Sequence, residues 1–262
     1  MSGDETKRTR DFKWFKRHFL AVLFPERCAC CGQVIRVEQQ VCDECRNHLL
    51  YQLPPLCTAC GRSRTVCDCG QKASHYFDKI VSPLVYEGAA KEGILRLKRT
   101  GYRYIAEVFA EEMLFSYRDD YDTEVFDFAV PVPMTDGEYK EKGYNHSELL
   151  AQELGSLVNL PVENGLRKVR ETRPQKELTA MERRGNLAGV FDVDPHCDVK
   201  DKRILLVDDV MTTGSTLDEC AKMLKIYGAS EVCAVTAAIT WLSEDKEEIR
   251  RTPDLTDTAE SA

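Results

Sequence analysis

The sequence predicts an α/β fold, a parallel sheet flanked by helices, with a small cysteine-rich module in front of it. Three observations lead there. Ile204, Leu205, Leu206 and Val207 form an unbroken apolar run, the pattern of a strand buried on both faces of a parallel sheet. A second such run spans 126–132 and is stopped by Pro131 and Pro133, which cannot donate to a ladder. Nine of the twelve cysteines lie between Cys28 and Cys69, most of them in Cys-x-x-Cys pairs.

The totals bound the rest. A chain of 262 residues holds one medium domain and a small one. Hydrophobic content of 43% with 31% charged residues suits a soluble globular protein. The net charge of −8 argues against broad electrostatic binding of nucleic acid. A basic N-terminus precedes an apolar stretch at 19–24, but that stretch is too short for a signal core and no small-residue cleavage site follows. No run is long enough for stable membrane insertion. A cytoplasmic location is therefore expected, and there clustered cysteines favour a metal over disulfides.

In chain order, residues 1–24 form a basic N-terminal region. From Asp11 to Phe24, Phe12, Phe15, Phe19, Leu20 and Leu23 recur at helical spacing, until Pro25 ends the helix. Such a helix packs on its own protein or touches a membrane or nucleic acid; the first is favoured.

Residues 25–72 form the cysteine module. Cys28-x-x-Cys31-Gly32 is followed by Cys42-x-x-Cys45, and Cys57-x-x-Cys60-Gly61 by Cys67-x-Cys69. Four thiolates close a tetrahedral zinc shell with no open position, which is structural rather than catalytic. The favoured pairing is Cys28, Cys31, Cys42 and Cys45 on one zinc, and Cys57, Cys60, Cys67 and Cys69 on a second. Interleaved pairing stays open, and Cys30 is the spare thiol, able to replace Cys28 or Cys31. With so few large apolar residues, this segment needs such a staple to fold.

The main domain is assigned to 78–242. Residues 80–86 read as a strand, 89–99 and 104–117 as helices, and 126–132 as the second buried strand. A polar loop is expected from Thr135 to His146, then a helix from Ser147 to Val158 carrying Leu149, Leu150, Leu154 and Leu157. Residues 167–188 read as a long basic loop, and a loop of that length is functional or disordered. Short strands follow at 190–193 and 231–239. The tail, 243–262, has seven acids against three bases and no periodicity, and reads as disordered.

The apolar run at 204–207 carries the chemistry. Asp208 and Asp209 follow it at once, then the turn Thr212, Thr213, Gly214, Ser215 and Thr216, then helical spacing at Leu217, Ala221 and Leu224 up to Gly228. A loop at the carboxyl end of a parallel strand is where open α/β sheets take ligands. Main-chain N–H groups and hydroxyls at a helix N-terminus suit a phosphate. The ionised aspartates are acceptors only and repel phosphate, so their partners are hydroxyls, a metal or an amine. Phosphate and hydroxyls side by side describe a ribose 5-phosphate.

This stretch resembles the ribose-phosphate signature of type I phosphoribosyltransferases. Further motifs extend the likeness to the ComF family of competence-associated, phosphoribosyltransferase-like proteins over about residues 20–240. They are Phe24-Pro25-x-x-Cys28 and the double zinc ribbon, Tyr86-Glu87-Gly88, Leu97-Lys98, Pro131-Val132-Pro133-Met134 and Lys142-Gly143-Tyr144-Asn145. Arg170-x-Thr172-x-x-Gln175-x-x-Leu178 and Glu182-Arg183-Arg184-x-Asn186 complete the set.

The resemblance implies a type I phosphoribosyltransferase-like sheet that binds phosphoribosyl pyrophosphate (PRPP) or ribose 5-phosphate with Mg²⁺. Thr212 to Thr216 would hold the 5-phosphate, and Asp208 and Asp209 the ribose hydroxyls. Lys98, Arg173, Arg183 and Arg184 would neutralise the leaving pyrophosphate as loop 167–188 closes. His146 is a base candidate by residue type. The chain departs from the family pattern in one loop: Glu138 stands near the first expected Arg, and Lys142, Tyr144 and His146 replace Arg, Phe and Gln. Lys cannot hold a pyrophosphate bidentately as Arg does. The resemblance thus implies either a glycosyltransferase of the phosphoribosyl type or a non-catalytic PRPP sensor. In either case single-stranded DNA or DNA-uptake proteins are possible partners of the ribbons.

Overall fold

A computed structural model describes residues 25–65, 67, 69, 75–170 and 189–241. The segment expected to form a basic N-terminal helix, Arg173, Arg183, Arg184 and the acidic tail lie outside the described residues.

The cysteine module repeats one device. In each half a tight turn brings the first cysteine's N–H to a carbonyl five residues on, Cys28 to Gln33 at 2.8 Å and Cys57 to Arg62 at 2.7 Å. The glycine after each Cys-x-x-Cys turns left-handed, Gly32 at φ 79° and Gly61 at φ 73°, which a side chain would resist. The first half ends in a short helix, α1 (Asp43–Asn47), capped by the Cys42 sulfur. The module then runs along the sheet edge: Gln52 N–H donates to Pro83 O and Val85 N–H to Leu50 O, both at 2.8 Å. An edge so covered offers no template for a foreign strand.

The sheet is parallel. Strands β1 (Lys79–Val81) and β2 (Leu84–Val85) both pair with the last strand, so the single strand expected at 80–86 is two pieces. Pro83 explains the break, since it has no N–H for the ladder. Helices α2 (Gly88–Thr100) and α3 (Arg103–Tyr121) follow, then β3 (Phe128–Pro131). The polar loop expected at 135–146 is instead a short helix, α4 (Asp136–Lys142). Its cause is a capping box: Thr135 Oγ1 accepts from Glu138 N–H at 3.1 Å, and Glu138 Oε2 accepts from Thr135 N–H at 2.8 Å. Helix α5 (His146–Val158) comes next.

The expected basic loop also begins differently. Leu166–Lys168 forms β4, antiparallel to β5 (Phe191–Val193). Leu166 is buried opposite Val193, and Arg167 reaches Asp192 at 3.2 Å, so the start of the segment has a cross-strand partner. Strand β6 (Arg203–Met211), helix α6 (Ser215–Ile226) and strand β7 (Glu231–Ile239) complete the domain. The sheet order is β1 and β2, β7, β6, β3.

Strand β6 sits in the centre, and its side chains divide between two cores. Leu205 and Val207 pack with Ile94, Phe109 and Leu154 from α2, α3 and α5. Ile204 and Leu206 pack with Leu217 and Leu224 of α6. Burial on both faces is the reason the run does not alternate with polar residues. The strand outlasts its apolar run: Asp208 pairs with Thr236 and the ladder continues to Met211. The acids expected to follow the strand therefore lie within it, on rigid backbone.

Candidate functional site

The carboxyl ends of β2, β3 and β6 open onto a cavity of about 280 Å³, whose lining includes Tyr86, Lys98, Pro133, His146, Asp208 and Thr216. Each wall has a local cause. Gly101 ends α2 in the left-handed region at φ 62° and lies flat on Tyr144, where a Cβ would come within 2.5 Å of the ring. Tyr144 Oη in turn donates to Lys98 O at 3.0 Å. These contacts fix the last turn of α2, from which Lys98 reaches into the cavity. Asn145 caps α5 by accepting from Ser147 N–H at 3.0 Å, while its amide donates to Val132 O at 2.9 Å.

At the centre stand the two aspartates. Asp208 Oδ1 accepts from Ser147 Oγ at 2.8 Å and from Asp209 N–H at 2.9 Å. Asp209 Oδ2 lies 2.6 Å from Lys98 Nζ and 3.8 Å from His146 Nε2. Asp208, Asp209 and His146 together offer donor atoms within 4.8 Å of one another, a cluster able to hold a divalent cation.

The electrostatics follow from burial. Desolvation, then the charge on Asp209, pushes the Asp208 carboxyl up to about 7. Burial acts on Asp209 in the same direction, but the Lys98 ammonium outweighs it and holds Asp209 below the usual carboxylate range. Burial opposes the Lys98 charge too, and Asp209 again wins, raising it. His146 is pushed down chiefly by burial, so the imidazole is neutral near pH 7. Neighbouring carboxylates in one dry pocket part their affinities for a proton in this way.

The hydroxyl-rich turn borders the same cavity. Gly214 has φ 77°, and a Cβ there would meet Met211 Cε at 2.9 Å. Thr213 Oγ1 and Ser215 Oγ are 2.9 Å apart at the start of α6. Thr212, Gly214, Ser215 and Thr216 line the cavity, so the main chain and hydroxyls of a helix start border an anion-sized space.

The cysteines form two separate clusters, Cys28, Cys31, Cys42 and Cys45, and Cys57, Cys60, Cys67 and Cys69, each with its four sulfurs within 4.8 Å of one another. Zn–S bonds near 2.3 Å put tetrahedral sulfurs about 3.8 Å apart. The Cys31–Cys42 pair is at 3.8 Å, and Cys57–Cys69 and Cys60–Cys67 at 3.5 and 3.4 Å. All twelve cysteines are free thiols. Each cluster has one thiol made acidic. Burial raises Cys28, but amide donors led by Cys42 pull it down to about 6. Burial raises Cys57, and its Cys67 and Cys69 partners bring it to about 7. Cys30 is buried and belongs to neither four-sulfur group.

Sequence reasoning did not find Ser147. Its signal was the Asn-x-Ser start of a helix, read only as an approximate boundary. Lys98 was expected on the pyrophosphate, whereas here it pairs with Asp209.

Comparison with known proteins follows the same division. The phosphoribosyl transferase domain model matches residues 142–257, and the double zinc ribbon domain model matches residues 19–76. The chain is thus a phosphoribosyltransferase-domain protein that carries a double zinc ribbon. Within that class it is similar to proteins named for competence and DNA utilization. Competence protein F of Haemophilus influenzae is 29% identical over 213 residues, covering 73% of this chain and 93% of that protein. DNA utilization protein YhgH of Salmonella typhimurium is 29% identical over 224 residues, covering 84% and 92%. Competence protein ComFC of Streptococcus pneumoniae is 27% identical over 209 residues, covering 78% and 84%. Among the described residues no helix is long and apolar enough to cross a membrane.

Proposed function

We propose that this protein binds PRPP or ribose 5-phosphate with Mg²⁺ and transfers the phosphoribosyl group to a nitrogen acceptor, in the service of DNA uptake or utilization. The observation that carries the reading is the buried Asp208–Asp209 pair, braced by Ser147 and Lys98, beside the turn of Thr212, Thr213, Gly214, Ser215 and Thr216. The turn takes the 5-phosphate. The aspartates take the ribose hydroxyls. The carboxylates of Asp208 and Asp209 are the oxygen donors that would hold Mg²⁺, which would neutralise charge on pyrophosphate.

In the reaction the C1–O bond to pyrophosphate breaks and a C1–N bond forms, and the acceptor nitrogen loses a proton. His146, kept neutral by burial, is the imidazole in the cavity able to take it. Lys98 must leave Asp209 to meet the leaving group, and ribose hydroxyls on Asp209 would release it. The remaining catalysis is placement and fixed charge around an oxocarbenium-like sugar. Both cysteine clusters are assigned a structural zinc, with no open position for chemistry. The names of the relatives, competence and DNA utilization, supply the biological setting, with single-stranded DNA or a DNA-uptake protein as partner of the ribbons.

One observation favours a second reading, a PRPP-sensing adaptor without turnover. The cations among the described cavity residues are Lys98, Lys142 and Lys168, with no arginine to hold pyrophosphate bidentately. Calorimetry with PRPP and Mg²⁺ tests the site, and pyrophosphate release across nitrogen bases and amines separates the readings. Binding without release under any acceptor selects the adaptor. Absence of binding ends both.

A further inference from the structure

Arg62 is a buried cation in the second half of the cysteine module, 6% exposed. It is not a zinc ligand and does not line the ligand cavity. A charge is buried only where hydrogen bonds compensate it. Its guanidinium reaches across to the sheet domain, where Nη2 donates to Thr212 O at 3.2 Å and Nε to Thr240 O at 3.3 Å. Thr212 O also accepts from Thr240 Oγ1 at 3.3 Å. At its other end the residue belongs to the Cys57–Cys60 knuckle. Its carbonyl accepts from Cys57 N–H at 2.7 Å, and its own N–H donates to the Cys60 sulfur, against the burial that raises that thiol.

We infer that Arg62 is a positioning residue for the phosphate turn, so that the second ribbon sets the geometry of the ligand site. The reason is covalent. A trans peptide points its N–H opposite to its C=O. Holding the Thr212 carbonyl toward the ribbon therefore fixes the direction of the Thr213 N–H, the first amide of the turn. A second contact, from residues beyond the module, acts on the other side of that turn. His75 stacks on Phe77 with centroids 4.5 Å apart, and its ring edge lies 3.7 Å from where a Gly214 Cβ would stand. Tyr76 N–H donates to Asp218 Oδ1 of α6 at 2.6 Å, and His75 Nδ1 is 3.5 Å from the same oxygen. The turn is thus gripped at its entry by Arg62 and at its exit by residues 75 and 76. A ribbon that loses its fold releases the Arg62 grip, which makes the affinity for a phosphorylated ribose depend on the state of Cys57, Cys60, Cys67 and Cys69.

This inference rests on the ribose-phosphate reading of the site, and the experiment separates the two. Ribose 5-phosphate is titrated calorimetrically into the full chain, wild type, Arg62→Met and Arg62→Lys, with zinc content measured for each. A hydrogen bond from a charged donor corresponds to about tenfold or more in affinity. Arg62→Met is expected to weaken binding by about that factor with two zinc per chain retained, and Arg62→Lys to recover part of it. Equal affinity in Arg62→Met and wild type overturns the inference and leaves the site reading standing. No binding by wild type removes both. A readout that needs no variant is hydrogen exchange of wild type with and without ribose 5-phosphate. Slowed exchange at 57–65 together with 212–216 is expected, because coupling is reciprocal. Protection confined to 212–216 overturns the inference.

Discussion

The two halves of the cysteine module share a knuckle but are tied to the sheet domain in opposite senses. In the first half the tether comes from the domain: Arg96 of α2 donates to Ala29 O at 3.0 Å and also to Cys28 O, and its far nitrogen reaches Tyr104 Oη at 3.1 Å. Its guanidinium lies on Gly32, where a Cβ would stand 3.0 Å from Cζ. In the second half the tether comes from the module, with Arg62 holding Thr212 and Thr240. The first grips a cysteine turn from outside; the second grips the ligand turn from inside the ribbon. The same bond type, guanidinium to carbonyl, anchors a module in one case and shapes a site in the other.

The largest expected effect comes from removing metal, which tests what the halves share. A structural zinc contributes roughly 10–16 kcal/mol of apparent folding free energy in small domains. Stripping zinc with a strong chelator should abolish amide protection at 28–65 while β6 and β7 keep theirs, read by hydrogen exchange. If the cysteine segment stays protected without metal, the zinc reading fails for both halves.

A finer cut separates them. Cys45→Ser and Cys60→Ser each remove one thiolate from one cluster, and metal analysis should find one zinc equivalent lost in each. Only Cys60→Ser should weaken ribose 5-phosphate, by about the tenfold expected of a lost charged hydrogen bond. Equal loss in both variants would mean that the module acts on the site as one body.

The Arg96 tether should behave as an anchor alone. Arg96→Met leaves carbonyls of the first knuckle unpaired, a cost of about 1–3 kcal/mol, measurable by denaturant midpoint. Arg96 stands two residues from Lys98, so the two side chains leave α2 on nearly opposite sides. Ligand affinity should therefore stay within about twofold of wild type.

The fold was legible where one period or one spacing decided it. The 204–207 run announced a doubly buried strand because both faces of β6 are covered, by Leu205 and Val207 on one side and Ile204 and Leu206 on the other. What escaped depended on partners distant in sequence. Asp208 continues a strand only because β7 is long enough to pair it with Thr236. Arg167 and Lys168 look like loop until Asp192 and Phe191 lie opposite them. The Thr135-x-x-Glu138 capping box was local and present, but a mixed-charge segment without apolar residues gives no periodicity to place behind it. Arg62 carried no signal, since the carbonyls it holds lie 150 and 178 residues away.

The most diagnostic effect lies at Asp208. Its carboxyl titrates near 7 in the folded chain and near ~3.9 when unfolded. A raised carboxyl binds its proton more tightly when folded. The stabilisation this gives is fully present below the unfolded value and is lost as pH rises through the folded one. Wild type should therefore lose stability as pH rises from about 4 through 7. Asp208→Asn keeps an oxygen that can accept from Ser147 Oγ and Asp209 N–H, and it cannot ionise beside Asp209. The variant should be more stable than wild type at pH 8, with the advantage shrinking toward pH 4, while its affinity for ribose 5-phosphate falls. Denaturant midpoints across that range measure the first effect and calorimetry the second. A gain in stability coupled to a loss of binding marks Asp208 as held charged against the fold for the sake of a ligand. A variant less stable at every pH would instead make the carboxylate part of the scaffold.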